Sequence, residues 1–250
     1  MFYNIIIIMR EELKLENIRS NLIRQEETII FSLIERSQFG KNGIIYKTNG
    51  INIPDFNGSF MMYLLSGTEK LHSIVRRYTA PDEHPFTLDL PTPIIPPEYE
   101  WPIKMTNINI NNKILDLYIN KIIPMICKIE DDGNYGSSAV NDITALQSLS
   151  KRIHYGKYVA ESKFLEDPAG YEKLIKANDT KGIMVKLTNK EVEDKILKRV
   201  ETKTSTYGQE LDASNPIYKI QPDIINKIYE DYIIPYTKEV EVLYLLGRLS

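Results

Sequence analysis

Arg152 and Lys163 stand three helical turns apart, about 16 Å along an α-helix, and project to within about 20° of one face. Ala145, Leu149, Gly156 and Val159 share that face, whereas Lys151, Lys157 and Glu161 point elsewhere. Two long cations on a small, apolar face leave an opening flanked by positive heads. A buried cation without a partner is costly, so either carboxylates from other helices or an anionic ligand must fill that opening. Glu241 falls with Thr237 on the apolar stripe of Ile234, Tyr244 and Leu245. Desolvation there pushes a carboxyl towards its neutral, proton-donating form. Asn189 and Glu193 project beside Ile196 and Val200, although residues 188–191 also read as a helix start capped by Thr188 or by Asn189. Near the N-terminus, Arg19 lies within the stripe of Leu15, Ile18 and Ile29, and Glu26 sits near its centre. A buried Arg19–Glu26 ion pair and a functional role are both open, while Arg24 falls on the solvent side.

Other chemistries find little footing. His72, His84 and His154 are far apart and match no metal-ligand spacing. There is no glycine-rich phosphate loop, dinucleotide fingerprint or GxSxG elbow. Asp131 and Asp132 adjoin Gly133 and Asn134 and read as a solvated turn, not a metal site. The single cysteine, Cys127, excludes an internal disulfide and a Cys-rich zinc site, and it fits a reducing compartment. A net charge of −3 over 250 residues gives no basic field of the kind that nucleic-acid binders carry. The apolar run Ile5 to Met9 falls far short of the ~20 residues of a bilayer span, and Arg10, Glu11 and Glu12 follow it at once. Neither a signal peptide nor a membrane segment is expected. The reading so far is a cytoplasmic protein with no metal, cofactor, nucleic-acid or membrane partner.

The elements that must position these residues are helical. Apolar residues recur at i, i+3, i+4 and i+7 over long windows, and strand signals are scarce. The pattern predicts helices at 13–37, 59–78, 111–130, a nearly continuous stretch at 138–167 stopped by Pro168, then 171–177, 179–185, 190–208 and 222–249. Residues 81–102 hold seven of the 13 prolines and cannot be helical. A proline-rich loop over about 79–110 is therefore expected to pack on the surface. Two segments echo each other, YINKIIP at 118–124 and YEDYIIP at 229–235, each with a proline inside a helical pattern that predicts a kink. The expected architecture is all-α, a single-domain multi-helix bundle over 1–250, with residues 1–12 as an N-terminal extension.

Three segments carry a more specific signal: IRSNLIRQEETIIF at 18–31, SLSKRIHYGKYVAESKF at 148–164 and TKEVEV at 237–242. Together and in this order they resemble the all-helical, allosteric chorismate mutases of fungi and other eukaryotes, over nearly the whole chain. The resemblance implies isomerisation of chorismate to prephenate in tyrosine and phenylalanine synthesis, an intramolecular [3,3] rearrangement that needs no cofactor. It implies that Arg19 and Arg152 bind the substrate carboxylates, that Lys163 reaches a carboxylate and the ether oxygen, and that protonated Glu241 is the second donor to that oxygen. Asn189 and Glu193 would hold the ring hydroxyl and a carboxylate region, with Thr237 lining the pocket.

The resemblance also implies a homodimer in which tyrosine inhibits and tryptophan activates at an interface site. Arg76, Arg77, Asn134, Gly136 and Ser137 match the effector-binding segments. Val140 stands where that pattern has a threonine that helps recognise the effector, Gly133 replaces an asparagine, and Gln221 replaces a threonine linked to switching. The competing expectation is a non-catalytic helical scaffold, in which Glu193 and Glu241 tie up Arg152 and Lys163 and leave no void.

Overall fold

The computed structural model describes residues 13–95, 101–210 and 217–249. The expected extension at 1–12 and the tip of the proline-rich loop at 96–100 lie outside them. Helix α1 runs Leu15–Ser37 and buries Ile18, Ile29 and Leu33 of the predicted stripe, with Ile30 beside them. Helix α2, Phe60–Ile74, starts where the Ser59 hydroxyl accepts the Met62 N–H at 3.2 Å. It ends short of residue 78 because Val75 leaves helical geometry and Arg76 turns left-handed at φ 72°, before a single 3₁₀ turn at Arg77–Thr79.

The two proline-bearing echoes fold alike. Helix α3, Asn111–Leu117, passes through a π turn at Tyr118–Ile122 into α4, Ile123–Ile126. Near the C-terminus α10, Pro222–Ile228, passes through a π turn at Tyr229–Ile233 into α11, Ile234–Leu246. Pro124 and Pro235 lack an N–H, and their rings crowd the carbonyl one turn back, so the turn before each widens. The predicted kinks are these π turns. The first composite helix stops at Ile126, short of the expected residue 130, because Cys127 is already extended.

Helices α5, Tyr135–His154, and α6, Gly156–Glu166, meet at Tyr155, whose φ −61° and ψ −14° keep the two nearly in line. Arg152 and Lys163 thus keep a common face across the joint. Pro168 opens α7, Pro168–Lys176, capped by Asp167 onto the Gly170 N–H at 3.0 Å. Helix α8, Thr180–Leu187, is capped by Asp179, and α9, Lys190–Gly208, by Asn189, whose side chain accepts the Val192 N–H at 3.2 Å. Among the described residues no strand forms beyond a bridge between Gln209 and Tyr218, and no helix is long and apolar enough to cross a membrane.

Two apolar clusters hold the helices together. The larger joins Ile29 and Leu33 of α1 to Ile114, Leu146, Leu149 and Ile153 of α3 and α5. The smaller gathers Ile18, Val159, Phe164, Tyr171, Leu187 and Leu245. Each fully buried aliphatic side chain contributes about 1.5–3 kcal/mol.

The proline-rich stretch does more than lie on the surface. Glu69, fully buried, accepts the N–H groups of Phe86 and Thr87 at 2.8 Å each. Lys157, 1% exposed, donates to the carbonyls of Pro81 and Ile108 at 2.9 Å each and to His84 Nε2 at 2.6 Å. Asp132 lies exposed in the expected turn, where it accepts the Gly40 N–H and the Asn42 amide at 2.7 Å each, and these bonds hold its pKa well below the usual carboxylate range. One further expectation is corrected. Glu26 does not pair with Arg19. It is fully buried against Arg199, with contacts of 2.6 and 2.8 Å, a partner contributed by α9 that the local pattern of α1 could not reveal.

Candidate active site

Arg19, Arg152, Lys163, Asn189, Glu193, Thr237 and Glu241 line one cavity of about 410 Å³. Arg19 comes from α1, Arg152 from α5, Lys163 from α6, Glu193 from α9, and Thr237 and Glu241 from α11. Its apolar wall is the smaller core cluster, through Ile18, Val159, Tyr171 and Leu187. Close approach of α6 and α11 sets the floor: a Cβ on Gly156 would lie 2.8 Å from the Thr237 carbonyl oxygen and 3.3 Å from Glu241 Cγ.

The described residues include three deeply buried cations, and the contrast among them locates the chemistry. Arg36 is saturated: Asp142 sits 2.6 Å from its Nε, and the carbonyls of Phe39, Gly40 and Lys41 with the Tyr46 hydroxyl take its remaining protons. Lys157 has three acceptors for three protons. Arg152, 3% exposed, donates to Thr237 Oγ1 at 3.2 Å, and its Nε has no partner among the described residues. No carboxylate there lies within ion-pair distance of it. A buried guanidinium left in that state is costly unless an anion arrives.

Lys163 Nζ donates to the Leu187 carbonyl at 2.8 Å and approaches Glu241 Oε2 at 3.4 Å. Burial, with Glu241 only 5% exposed, pushes its carboxyl pKa up and outweighs the opposing pull of Lys163 and Arg152. A neutral carboxylic acid has a proton to donate into the cavity. Glu193 is taken by Lys238, with Oε1 2.6 Å from Nζ. Asn189 resolves the two capping alternatives in its own favour; its carbonyl serves the α9 N-terminus, which leaves the amide N–H₂ for the pocket. Arg19 is exposed at the mouth, so the hollow is open on that side and not closed all round.

The scaffold expectation required Arg152 and Lys163 tied up with no void between them, and the cavity contradicts it. Sequence reasoning missed Lys238, although it lies inside the TKEVEV segment. It also missed the mouth, where Lys186 pairs with Asp167 at 2.6 Å and stands over the Tyr171 ring. Lys186 and Asp167 lie outside any apolar stripe and gave no local signal.

The second group of expected residues is not brought together within one chain. Arg77 bonds Glu83 at 2.6 Å and the Gln147 side-chain oxygen at 3.0 Å. Gln147 is about 15 Å along α5 from Ser137. Asn134, Gly136 and Ser137 are exposed at the start of that helix, as is Val140.

Residues 134–242 match the profile of the family described as chorismate mutase type II. The chorismate mutase of Schizosaccharomyces pombe is 49% identical over 248 residues, which is 97% of this chain and 99% of that protein. The crystal structure of the Candida albicans chorismate mutase in complex with L-Trp superposes with a TM-score of 0.91 at 44% identity, covering 96% of this chain and 94% of that one. AtCM1 with tyrosine bound in its allosteric site gives a TM-score of 0.89 at 50% identity, covering 96% and 98%.

Proposed function

The chain belongs to the chorismate mutase family and isomerises chorismate to prephenate, and we propose that it does so in the cavity between α1, α5, α6, α9 and α11 by binding and electrostatics alone. The ether C–O bond of the substrate breaks as a C–C bond forms within the same molecule. No proton, electron or group leaves, so the reaction itself calls for no nucleophile or cofactor. The protein has to hold the compact reactive conformer and stabilise the negative charge that grows on the ether oxygen.

Arg152 and Arg19 bind the two carboxylates, Arg152 through its buried fork and Arg19 from the mouth. Lys163 donates to a carboxylate and to the ether oxygen. Glu241, kept neutral by burial, is the second donor there. Glu193 accepts the ring hydroxyl, Asn189 donates beside it, and Thr237 lines the wall while orienting Arg152. The observation that carries this reading is the buried, carboxylate-free Arg152 facing a void that also holds Lys163 and Glu241. The test is to incubate the protein with chorismate, follow the loss of its ultraviolet absorbance and repeat with Arg152→Ala. Undiminished turnover in that variant would move the reaction to another place on the molecule.

Regulation by aromatic amino acids belongs to the same reading. Arg76 and Arg77 of one copy, with Asn134, Gly136 and Ser137 of a second, form the effector site of a homodimer. Their separation within one chain supports a shared site. So does the apolar face beside Arg76, where Leu71, Val75 and Ile94 are exposed at 68%, 59% and 74%. The tryptophan and tyrosine bound to the two similar structures give the ligand class. Cytoplasmic residence completes the reading and is checked by fractionating cells that express a tagged chain.

A further inference from the structure

Glu193 poses an electrostatic problem. It is a carboxylate in a cavity built for a dianion, and like charges in a partly dry site repel strongly. Lys238 answers it from α11. Its Nζ lies 2.6 Å from Glu193 Oε1, with the two side chains only 19% and 17% exposed. The same ammonium donates to Thr188 Oγ1 at 3.2 Å, in the connector between α8 and α9. One residue earlier in that connector, the Leu187 carbonyl takes Lys163 Nζ at 2.8 Å, and one residue later Asn189 caps α9. The connector is therefore held by a lysine on each side, one from α6 and one from α11. Lys238 also stands between Thr237, which accepts from Arg152, and Glu241 on the same helix.

We infer that Lys238 is a positioning residue for substrate recognition: it cancels the charge of Glu193 against the substrate carboxylates and pins Oε1, which leaves Oε2 aimed to accept the ring hydroxyl. It acts through Glu193 and touches no reacting atom. The inference rests on the assignment of Glu193 to the ring hydroxyl made above.

The test compares wild type, Lys238→Met, Lys238→Arg, Glu193→Gln and the Lys238→Met/Glu193→Gln double variant. Each is assayed with chorismate and with an analogue lacking the ring hydroxyl. Lys238→Met raises KM for chorismate about 10- to 100-fold, the worth of a hydrogen bond to a charged group, with a much smaller change in kcat. Its preference for chorismate over the analogue falls to that of Glu193→Gln, Lys238→Arg restores both, and the double variant is no worse than Glu193→Gln alone. Full hydroxyl preference in Lys238→Met, or an additive loss in the double variant, overturns the inference while leaving the role of Glu193 intact. Undiminished preference in Glu193→Gln itself overturns that role, and the inference with it. Lys238→Gln, which keeps a donor without the charge, serves the same comparisons if the methionine variant does not fold.

Discussion

In the proposed mechanism Lys163 and Glu241 converge on one developing charge, and their contributions separate by experiment. The Lys163 contact to the ether oxygen strengthens as that bond breaks, so Lys163→Ala lowers kcat more than it raises KM. The loss of about 3–4 kcal/mol typical of one such donor corresponds to roughly 100- to 1,000-fold in turnover, read from steady-state kinetics. Glu241 serves in its protonated form, which burial preserves to higher pH than on the surface. Its pKa is raised by burial, so the donor is present at low pH and lost as pH rises through that raised value. Activity falls over that window, and Glu241→Gln, which donates without titrating, flattens the kcat profile. These side chains were legible because a polar residue on an apolar helical stripe stands out at about 100° per residue. Glu26 stood out equally, but its role stayed open between two alternatives, because its partner Arg199 arrives from a helix remote in sequence. Lys238 was passed over for the opposite reason: only its partner in space, Glu193, gives it meaning.

Between elements, the α6–α11 contact and the proline-rich stretch each lend themselves to a measurement. Gly156 permits the close approach that brings Glu241 opposite Lys163, and a methyl there would have to displace backbone, since the nearest atom is the Thr237 carbonyl oxygen at 2.8 Å. Gly156→Ala costs about 1–3 kcal/mol of stability in a denaturant melt and lowers turnover as well, because the wedge moves a donor. The lock on the proline-rich stretch depends on neutral imidazoles. The Ile110 N–H donates to His154 Nε2 at 3.0 Å, so that nitrogen carries no proton, and Lys157 Nζ stands 2.6 Å from His84 Nε2, where a positively charged imidazole would be repelled. Burial lowers the two histidines from the ordinary 6.5 to about 3 for His154 and about 4 for His84, where the positive charge of Lys157 adds to the effect. Between those values and 6.5 the unfolded chain binds more protons, so stability falls as pH drops through that range. His84→Gln keeps the acceptor and removes the titration, giving a shallower fall in Tm from pH 6.5 to 4. Periodicity revealed the helices here, and proline revealed both kinks and the loop. It could not reveal the fastenings, because Glu69 and Lys157 read locally as ordinary helix-surface charges and are buried only by a segment distant in sequence.

At the scale of the whole molecule, the residues proposed to bind the effector are split between two regions of one chain, with Arg77 already engaged by Glu83 and Gln147. An amino acid bound between copies has to compete for that guanidinium, which ties its binding to the α2–α5 contact and, along α5, to Arg152. Such competition would supply the differential contact between two arrangements that a ligand requires to shift an equilibrium. Couplings of this kind run to about 1–3 kcal/mol, or 5- to 150-fold in affinity. The proposed shared site predicts that the chain sediments as a dimer and that titration with tyrosine or tryptophan changes the chorismate concentration at half-maximal rate within that range. Arg77→Ala abolishes both responses while leaving turnover without effector in place. The proposed effector site predicts that Val140 discriminates between the two ligands: an exposed apolar side chain cannot bond a phenol, so the tyrosine response is the weaker, and Val140→Thr strengthens it without changing the response to tryptophan. A monomer in solution, or equal responses to tyrosine in wild type and Val140→Thr, would place recognition of the effector on other residues.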